Sequence, residues 1–390
     1  MSRVTSLHIY QTPFTNDSRI VKETRSLIEA GVVDECVVLA MSGDGLLPEE
    51  SFGSGRTVRR LAPATRRLRP SRRARAVQVI EWLGHVLAAS GRERPTVVHA
   101  HSITTLPVGV WMKRRYGCRL VYDAHELETE SASATGLKKP VSKLVERILI
   151  READAVLVVS ESIRRWYERS YGLRNVHLVR NVPEVRHGVH GGAQRREWRR
   201  SLGVPDDALL FLYQGLLGRG RGVELTLDAF SRVGPDKHVV FLGYGPLERL
   251  VKEAAARHSN IHFSPAVPPD RVLEITRNAD VGLAMIEDVC LSYRYCLPNK
   301  LFEYILSGIP VIASDFPDMG QVIDDQHCGW RTRVDSAALH ALVSRLDRAM
   351  IAAQTSAMRQ QPIRFGWHHE AEVLLSAYRR CLGAPASASI

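Results

Sequence analysis

The groups in this chain best suited to chemistry are cations and carboxylates that stand at helix starts and strand ends. In the run CLPNKLFEYILSGIPVIASD, Pro298 suits a first helical turn and Gly308 suits a helix end. The unbonded N–H groups at Asn299, Lys300 and Leu301 would then make an anion site fit for a diphosphate, with the Lys300 ammonium beside it. Glu303, one turn on, can accept hydrogen bonds from two neighbouring ribose hydroxyls. The same spacing also fits a plain i,i+3 surface pair of about 0.2–0.5 kcal/mol. Upstream, Tyr213–Gln214–Gly215 ends a strand and enters LLGRGRGVELTLDAF. Its glycines let backbone approach a ligand closely, and Arg219 and Arg221 offer rigid forks that match phosphate. The alternative is a solvated basic turn. Gly243 opens the GYGP turn after another strand, but neither loop is a dinucleotide fingerprint, since Glu248 stands where a glycine is needed.

The N-terminal half carries a second set. Arg19 and Lys22 lie on the first two turns of a helix capped by Asp17 or Ser18. VVHAHS and VYDAHE place His99, His101, Asp123, His125 and Glu126 at the carboxyl ends of buried strands, where open parallel sheets bind ligands. Each histidine also reads as a hydrogen-bonded packing residue, and Arg19 as a helix-surface charge. A metal set from His99, His101 and His125 is weaker still. The six cysteines are scattered without a CxxC pair, so reduced thiols and no zinc site are expected.

Rigid elements must hold these groups, and hydrophobic periodicity supplies two series of them. Apolar strands at 4–10, 35–41, 96–100, 119–122, 155–160 and 176–180 alternate with helical stretches such as 17–30, 77–89 and 143–151. A second series, at 209–214, 238–243, 261–263, 281–285 and 310–314, alternates with helices near 224–232, 247–258, 270–277, 299–307 and 336–350. Such alternation means parallel sheets covered on both faces, hence two doubly wound α/β domains. The expected division is an N-terminal domain over 1–183, a polar linker over 184–207, a C-terminal domain over 208–360 and a last helix within 361–390. Two such domains facing each other would form a cleft.

The balance of 45% hydrophobic and 24% charged residues is that of a soluble globular protein. No apolar run is long enough to span a bilayer, and the start MSRVTSLHIYQ lacks a leader pattern, so a cytoplasmic location is expected. Much of the +11 net charge falls in Arg56–Arg75, with nine arginines and no acid. That segment is either a solvated surface or a site for anionic lipid headgroups or an anionic acceptor. The second reading places the protein peripherally on the inner face of the cytoplasmic membrane. Nucleic acid is disfavoured, because no aromatics interleave with the arginines.

The pattern LPNK-x-FEY…G-x-PVIASD resembles the donor-binding motif of family 4 glycosyltransferases, retaining enzymes of the GT-B fold with two Rossmann-like domains (glycosyl transferase group 1). The resemblance extends over nearly the whole chain and is most specific at 297–315. It implies that Glu303 binds a nucleotide's ribose, and that Arg221 and Lys300 hold the donor diphosphate with Arg219, Asn299 and Leu301 beside them. Gly215 and Gly243 then give the donor access to backbone, and the loop around Val267 holds the base through backbone atoms. Tyr295 stands where many members carry a second glutamate that touches the sugar. TPFTNDSRIVKETRSLIEAG resembles the family's D-x-R-x-x-K-E-A-x-x-L segment, which turns Arg19 and Lys22 toward the site. The histidine of D-x-H-E lies near the acceptor in the family, which makes His125 first choice there, with His101 and Glu126 on the acceptor side. FGWHHEAEVLLSAY resembles the final helix that crosses back to the N-terminal domain.

The implied activity is sugar transfer from a UDP-, GDP- or ADP-sugar to an acceptor hydroxyl, with retention and without metal or other cofactor. The implied setting is bacterial surface polysaccharide or glycolipid synthesis, with a lipid-linked or small saccharide as acceptor. A sugar-nucleotide epimerase of the same fold would share the donor contacts but needs acid/base residues on both domains. A nucleic-acid- or membrane-binding protein would leave the PNK-x-FEY segment without a purpose. A nicotinamide-dependent dehydrogenase lacks its glycine fingerprint.

Overall fold

The computed structural model describes residues 3–15, 17–67, 71–136, 138–184 and 192–383. They form two compact units: the residues up to Asn181 with those from His368 onward, and Val182–Trp367.

The first unit is built on eight strands: β1 (Thr5–Tyr10), β2 (Glu35–Met41), β3 (Glu49–Gly53), β4 (Arg56–Leu61), β5 (Val97–His101), β6 (Arg119–Ala124), β7 (Ala155–Val158) and β8 (Val176–Leu178). They are ordered β3-β4-β2-β1-β5-β6-β7-β8. Only the β3–β4 pair is antiparallel. The central strands are apolar throughout, and all five residues of β5 are buried, as a sheet covered on both faces requires. Helix starts are fixed by side-chain caps: Ser71 accepts from the Ala74 amide at 3.0 Å and Ser160 from that of Ile163 at 3.3 Å.

β3 and β4 were not expected, because RTVRRL reads as polar. Its arginines find partners inside the fold. Arg60 is buried and donates to the carbonyls of Pro13 (2.8 Å) and Leu47 (2.9 Å) and to Glu50 (2.8 Å). Arg59 pairs with Glu49 and Glu93, and Arg56 donates to the Val21 carbonyl. This corrects the reading of Arg56–Arg75 as one lipid-facing surface: its first third is a structural strand. Arg69 and the Arg72 side chain lie outside the described residues.

The second unit is wholly parallel, with β9 (Leu209–Leu216), β10 (Lys237–Tyr244), β11 (Ile261–Pro265), β12 (Val281–Ala284), β13 (Val311–Ser314) and β14 (Gly329–Thr332) in the order β11-β10-β9-β12-β13-β14. Alternate residues of β9 feed opposite cores, Leu210 and Leu212 on one face and Leu209, Phe211 and Tyr213 on the other. The span expected as linker also contributes: Gly192–Ser201 is a helix, tied down by buried Arg199 on Asp280 at 2.9 Å. A final helix, Trp367–Cys381, returns to the first unit, where Glu370 accepts from the Arg180 amide at 2.7 Å. Among the described residues, no helix is long and apolar enough to cross a membrane.

Candidate functional site

At the carboxyl ends of β9 and β10 the two backbones nearly touch. A Cβ on Gly243 would lie 1.9 Å from the Gly215 carbonyl oxygen, so only glycine fits there. Gly215 itself has φ +110 and open space around it. The chain then enters the 218–222 turn, which is fastened from several sides. Tyr213 donates to the carbonyls of Leu216 and Arg221, each at 3.0 Å. The Gly222 amide donates to Glu287 at 3.1 Å, and the Glu287 amide to the Gly220 carbonyl at 3.0 Å. This fastening sets the Arg221 guanidinium over the Tyr293 ring, 4.5 Å from its centroid, with Nε buried and unbonded.

The helix Asn299–Leu306 faces that turn. Its apolar side, Leu301, Phe302 and Ile305, is buried in the core. Tyr304 accepts from the Gln214 amide at 3.1 Å and donates to the Leu212 carbonyl at 2.9 Å, riveting the helix to β9. Lys300 is buried, with Nζ 3.8 Å from the Tyr213 ring centroid and without a hydrogen-bond partner. Burial and the Arg221 charge push its pKa down to about 7, although Glu303 opposes them. Two cations therefore rest on aromatic faces with N–H groups unspent, an arrangement that an anion between them would relieve.

Glu303 is half-buried and accepts from Gln214 Nε2. Thr276 donates to Gln214 Oε1 at 2.8 Å, which fixes how that amide points. The amides of Asn299 and Lys300 stand before the first intrahelical bond. Leu301 departs from expectation: its amide donates to the Pro298 carbonyl at 3.0 Å and its side chain is core, so it offers no free donor. Val267 is half-buried on the same core, and Tyr295 closes the short helix Leu291–Arg294. Arg219 is exposed and forms no ion pair among the described residues. Gln214, Tyr213, Tyr293 and Thr276 were missed as site residues. Only the buried glutamine at a strand end gave a signal.

In the first unit, β1, β5 and β6 bring Asp123 and four histidines together. Arg19 is buried and grips Asp123 in a fork, Nε to Oδ2 at 2.8 Å and Nη2 to Oδ1 at 2.9 Å, while Nη1 donates to the Val179 carbonyl. Lys22 is buried too, donating to Asn181 at 2.9 Å. Both were expected to face a ligand. Instead they tie the first helix, Ser18–Glu29, to the sheet. His101 is buried as well: its Nδ1 lies 3.0 Å from His125 Nε2, and its Nε2 lies 3.0 Å from His8 Nδ1. His125 Nε2 is also 3.0 Å from Asp123 Oδ2, and its ring is partly exposed. Glu126 is exposed and lines a cavity of about 260 Å³ with Ile103, Glu128, Ser131 and Val141.

His8, Glu23, His99 and His101 bring ligand-type atoms within 4.8 Å of one another. His8 bonds to His101 at 3.0 Å and His99 to the Tyr378 hydroxyl at 2.8 Å, while both Glu23 oxygens and His99 Nε2 are buried without a hydrogen-bond partner. The His99 and His101 rings stack at 4.2 Å and 14°, so no point near both lies in both ring planes, and Arg19 occupies the flank of Glu23 at 2.9 Å. Burial, above all, lowers the pKa of His8, His99 and His101, the last to about 4.

Residues 20–182 match the family described as Glycosyl transferase 4-like domain, and residues 208–349 match Glycosyl transferases group 1. The chain is 26% identical over 321 residues to the alpha-maltose-1-phosphate synthase of Mycolicibacterium smegmatis, covering 74% of this chain and 80% of that one. The sucrose-phosphate synthase of Thermosynechococcus elongatus superposes with a TM-score of 0.79 at 17% identity, covering 98% of this chain and 100% of that one. Anabaena Alr3699/HepE, solved with UDP and glucose, gives 0.71 at 14% identity, covering 95% and 98%.

Proposed function

The chain belongs to the group 1 (family 4) glycosyltransferases of the GT-B fold, which use nucleotide-sugar donors, and from that premise we propose how its own residues carry out the transfer. The second unit takes the nucleoside diphosphate sugar. Glu303, held by Gln214, accepts from the ribose hydroxyls, and backbone near Val267 holds the base. Arg221, Lys300 and the amides of Asn299 and Lys300 surround the diphosphate. As the glycosidic bond breaks, negative charge grows on the leaving phosphate, and donors already aimed there stabilise it without reorganisation. Retention follows from attack by the acceptor hydroxyl on the face that the phosphate leaves, with the hydroxyl proton passing to the departing phosphate oxygen, so no carboxylate nucleophile is assigned. The reaction needs neither metal nor other cofactor in this reading, because the cations do that work.

The first unit presents the acceptor. His125, steadied through Nε2 by Asp123 and His101, orients the hydroxyl, and the cavity beside Glu126 receives its sugar. At about 260 Å³ it is below the roughly 300–1,000 Å³ of drug-sized sites, which suits one sugar unit. The acceptor class is a lipid-linked or small saccharide, and the reading places the enzyme in the cytoplasm. The observation that carries the donor assignment is the pair of cations, Lys300 and Arg221, with unspent N–H groups.

The test is incubation with UDP-, GDP- and ADP-sugars, starting with UDP-glucose because Alr3699/HepE was solved with UDP and glucose. Nucleoside diphosphate released only when a saccharide acceptor is present supports the reading. Isomerised donor with no nucleotide released replaces it with an epimerase.

A further inference from the structure

A second cavity of the first unit, of about 270 Å³, lies at the amino ends of its strands. Arg119 opens β6, Asp154 precedes β7, and Arg174, Asn175 and His177 surround the start of β8. The last turn of the final helix completes the wall with Arg380 and Cys381. His125 and Glu126 follow the other end of β6, beyond its six residues and so about 20 Å away along the strand. Every lining residue belongs to the first unit.

Three arginines meet in this cavity with most of their donors unspent. Arg174 is exposed and forms no ion pair among the described residues. Arg380 meets no carboxylate either, and its Nη2 lies 3.4 Å from His177 Nδ1. Arg119 stands 3.5 Å from Asp154, the one acid in the lining. That carboxylate is already held by others: Oδ2 accepts from Lys113 Nζ at 2.7 Å and from the Leu120 amide at 2.8 Å. Neighbouring Glu152 pairs with Arg114 at 2.7 Å. With Lys113 offsetting Asp154, the cavity keeps a clear positive excess. Helix ends attract cations on their own account, but the Tyr378 and Arg380 carbonyls already accept the Leu382 and Gly383 amides at 3.0 and 3.1 Å.

Two neutral groups complete the lining. Burial, with Arg380 beside it, lowers the His177 pKa to about 4, so its ring is neutral near pH 7. A guanidinium only donates, so Nδ1 accepts and the ring proton sits on Nε2 as a further donor. Asn175 spends its amide nitrogen on the Ala153 carbonyl at 2.8 Å, which leaves Oδ1 as an acceptor for a ligand hydroxyl. Converging guanidinium forks match a phosphoryl group, whose oxygens accept several charge-assisted bonds at once. The volume is below the roughly 300–1,000 Å³ of drug-sized sites, which suits a single phosphorylated unit.

We propose that this cavity binds a small phosphate monoester, with Arg119, Arg174 and Arg380 on the phosphoryl oxygens and Asn175 on a hydroxyl. The bound ester bridges the start of β8 to the final helix, whose Tyr378 hydroxyl lies 2.8 Å from His99 Nδ1. Occupancy therefore stabilises the helix that backs the histidine cluster. The site draws on neither the donor nor the acceptor assignment above.

The full chain is titrated calorimetrically with glucose 6-phosphate, inorganic phosphate and glucose. Glucose 6-phosphate is expected to bind more tightly than inorganic phosphate and to raise the melting temperature, while glucose does neither. Arg174→Gln with Arg380→Gln changes two exposed positions, and circular dichroism establishes that the double variant is folded. It should bind the ester at least about tenfold more weakly, since two charge-assisted contacts are lost. Arg174→Gln alone, at a residue with no ion pair to lose, should show part of that loss. Lys300→Met removes a cation from the second unit and should leave ester binding unchanged. Loss of binding in Lys300→Met but not in the double variant overturns the proposal, because the phosphate then sits at the donor cations. Equal binding by parent and double variant, equal affinity for ester and inorganic phosphate, or no binding by the parent overturns it as well.

Discussion

Lys300 Nζ lies 3.8 Å from the centroid of the Tyr213 ring, buried, with no hydrogen-bond partner and with Arg221 as a second cation nearby. The unfolded chain holds the lysine proton up to pH ~10.4, while burial brings the folded pKa to about 7. Between those values the unfolded state binds more protons, so this residue makes stability rise with pH. Below pH 7 its full cost is present. Lys300→Met should therefore raise the stability of the ligand-free protein at pH 6 by a few kcal/mol and by much less near pH 10, while abolishing most transfer. Nucleoside diphosphate should restore the charge, so calorimetry at pH 8 in two buffers should show proton uptake by the parent and not by the variant. Uptake of no proton by the parent would remove Lys300 from the diphosphate.

The Glu303 carboxylate is held in position by Gln214, itself fixed by Thr276. Glu303→Ala should weaken nucleotide binding by about 1–3 kcal/mol, the value of charge-assisted hydrogen bonds to hydroxyls. The loss should be the same for the free nucleoside, and smaller for a 2′,3′-dideoxy analogue. Gln214→Leu should cost less, and the double variant should be clearly non-additive, because both act on one carboxylate. Titration with the nucleoside series measures all of these. Equal losses for nucleoside and dideoxynucleoside would separate Glu303 from the ribose.

The helix and strands of the second unit were legible in the sequence because their signals are local. Pro298, the 299–306 apolar face and Gly308 mark one helix, and its first turn carries Asn299, Lys300 and Glu303 at fixed spacing. Long-range partners were not legible. Nothing local says that Arg19 meets Asp123, 104 residues away, so a cation on the first turn of a helix read as ligand-facing. β4 was missed for a related reason: RTVRRL has the composition of a solvated segment, and only the tertiary fold supplies Glu50 and the carbonyls that pair Arg60.

The histidine cluster predicts how stability responds to acid. His8, His99 and His101 are buried and neutral in the fold, with pKa values below the ordinary 6.5. Below that pH the unfolded chain protonates them and the fold does not, which lowers stability as pH falls. Glu23 acts in the opposite sense. Burial raises it to about 8, so from its ordinary 4.5 up to 8 the fold keeps a proton that the unfolded chain has released. Three histidines oppose one carboxylate, so the cluster gives a net slope in which stability falls as pH drops below 6.5. Glu23→Gln removes the opposing proton and should steepen that slope by about 1.4 kcal/mol per unit. Urea unfolding across this range measures both, and parallel curves for parent and variant would contradict the assignment.

Arg19 and Asp123 give the sharpest test of structural against ligand-binding roles. Their fork at 2.8 and 2.9 Å is buried, Nη1 donates to the Val179 carbonyl, and the Glu23 carboxylate lies 2.9 Å from Nε. Removing one partner leaves a buried charge uncompensated, so Arg19→Met should cost about 3–5 kcal/mol of stability. Asp123→Asn should cost a similar amount and also loosen His125, which loses its 3.0 Å acceptor. The double variant should recover part of the loss, because no lone charge remains. Donor affinity in the folded fraction of Arg19→Met should match the parent, since the fork on Asp123 and the bond to Val179 hold Arg19 within the first unit. A variant with parental stability but weakened nucleotide binding would instead put Arg19 on the donor. Denaturant unfolding and nucleotide titration on the same preparations separate these outcomes.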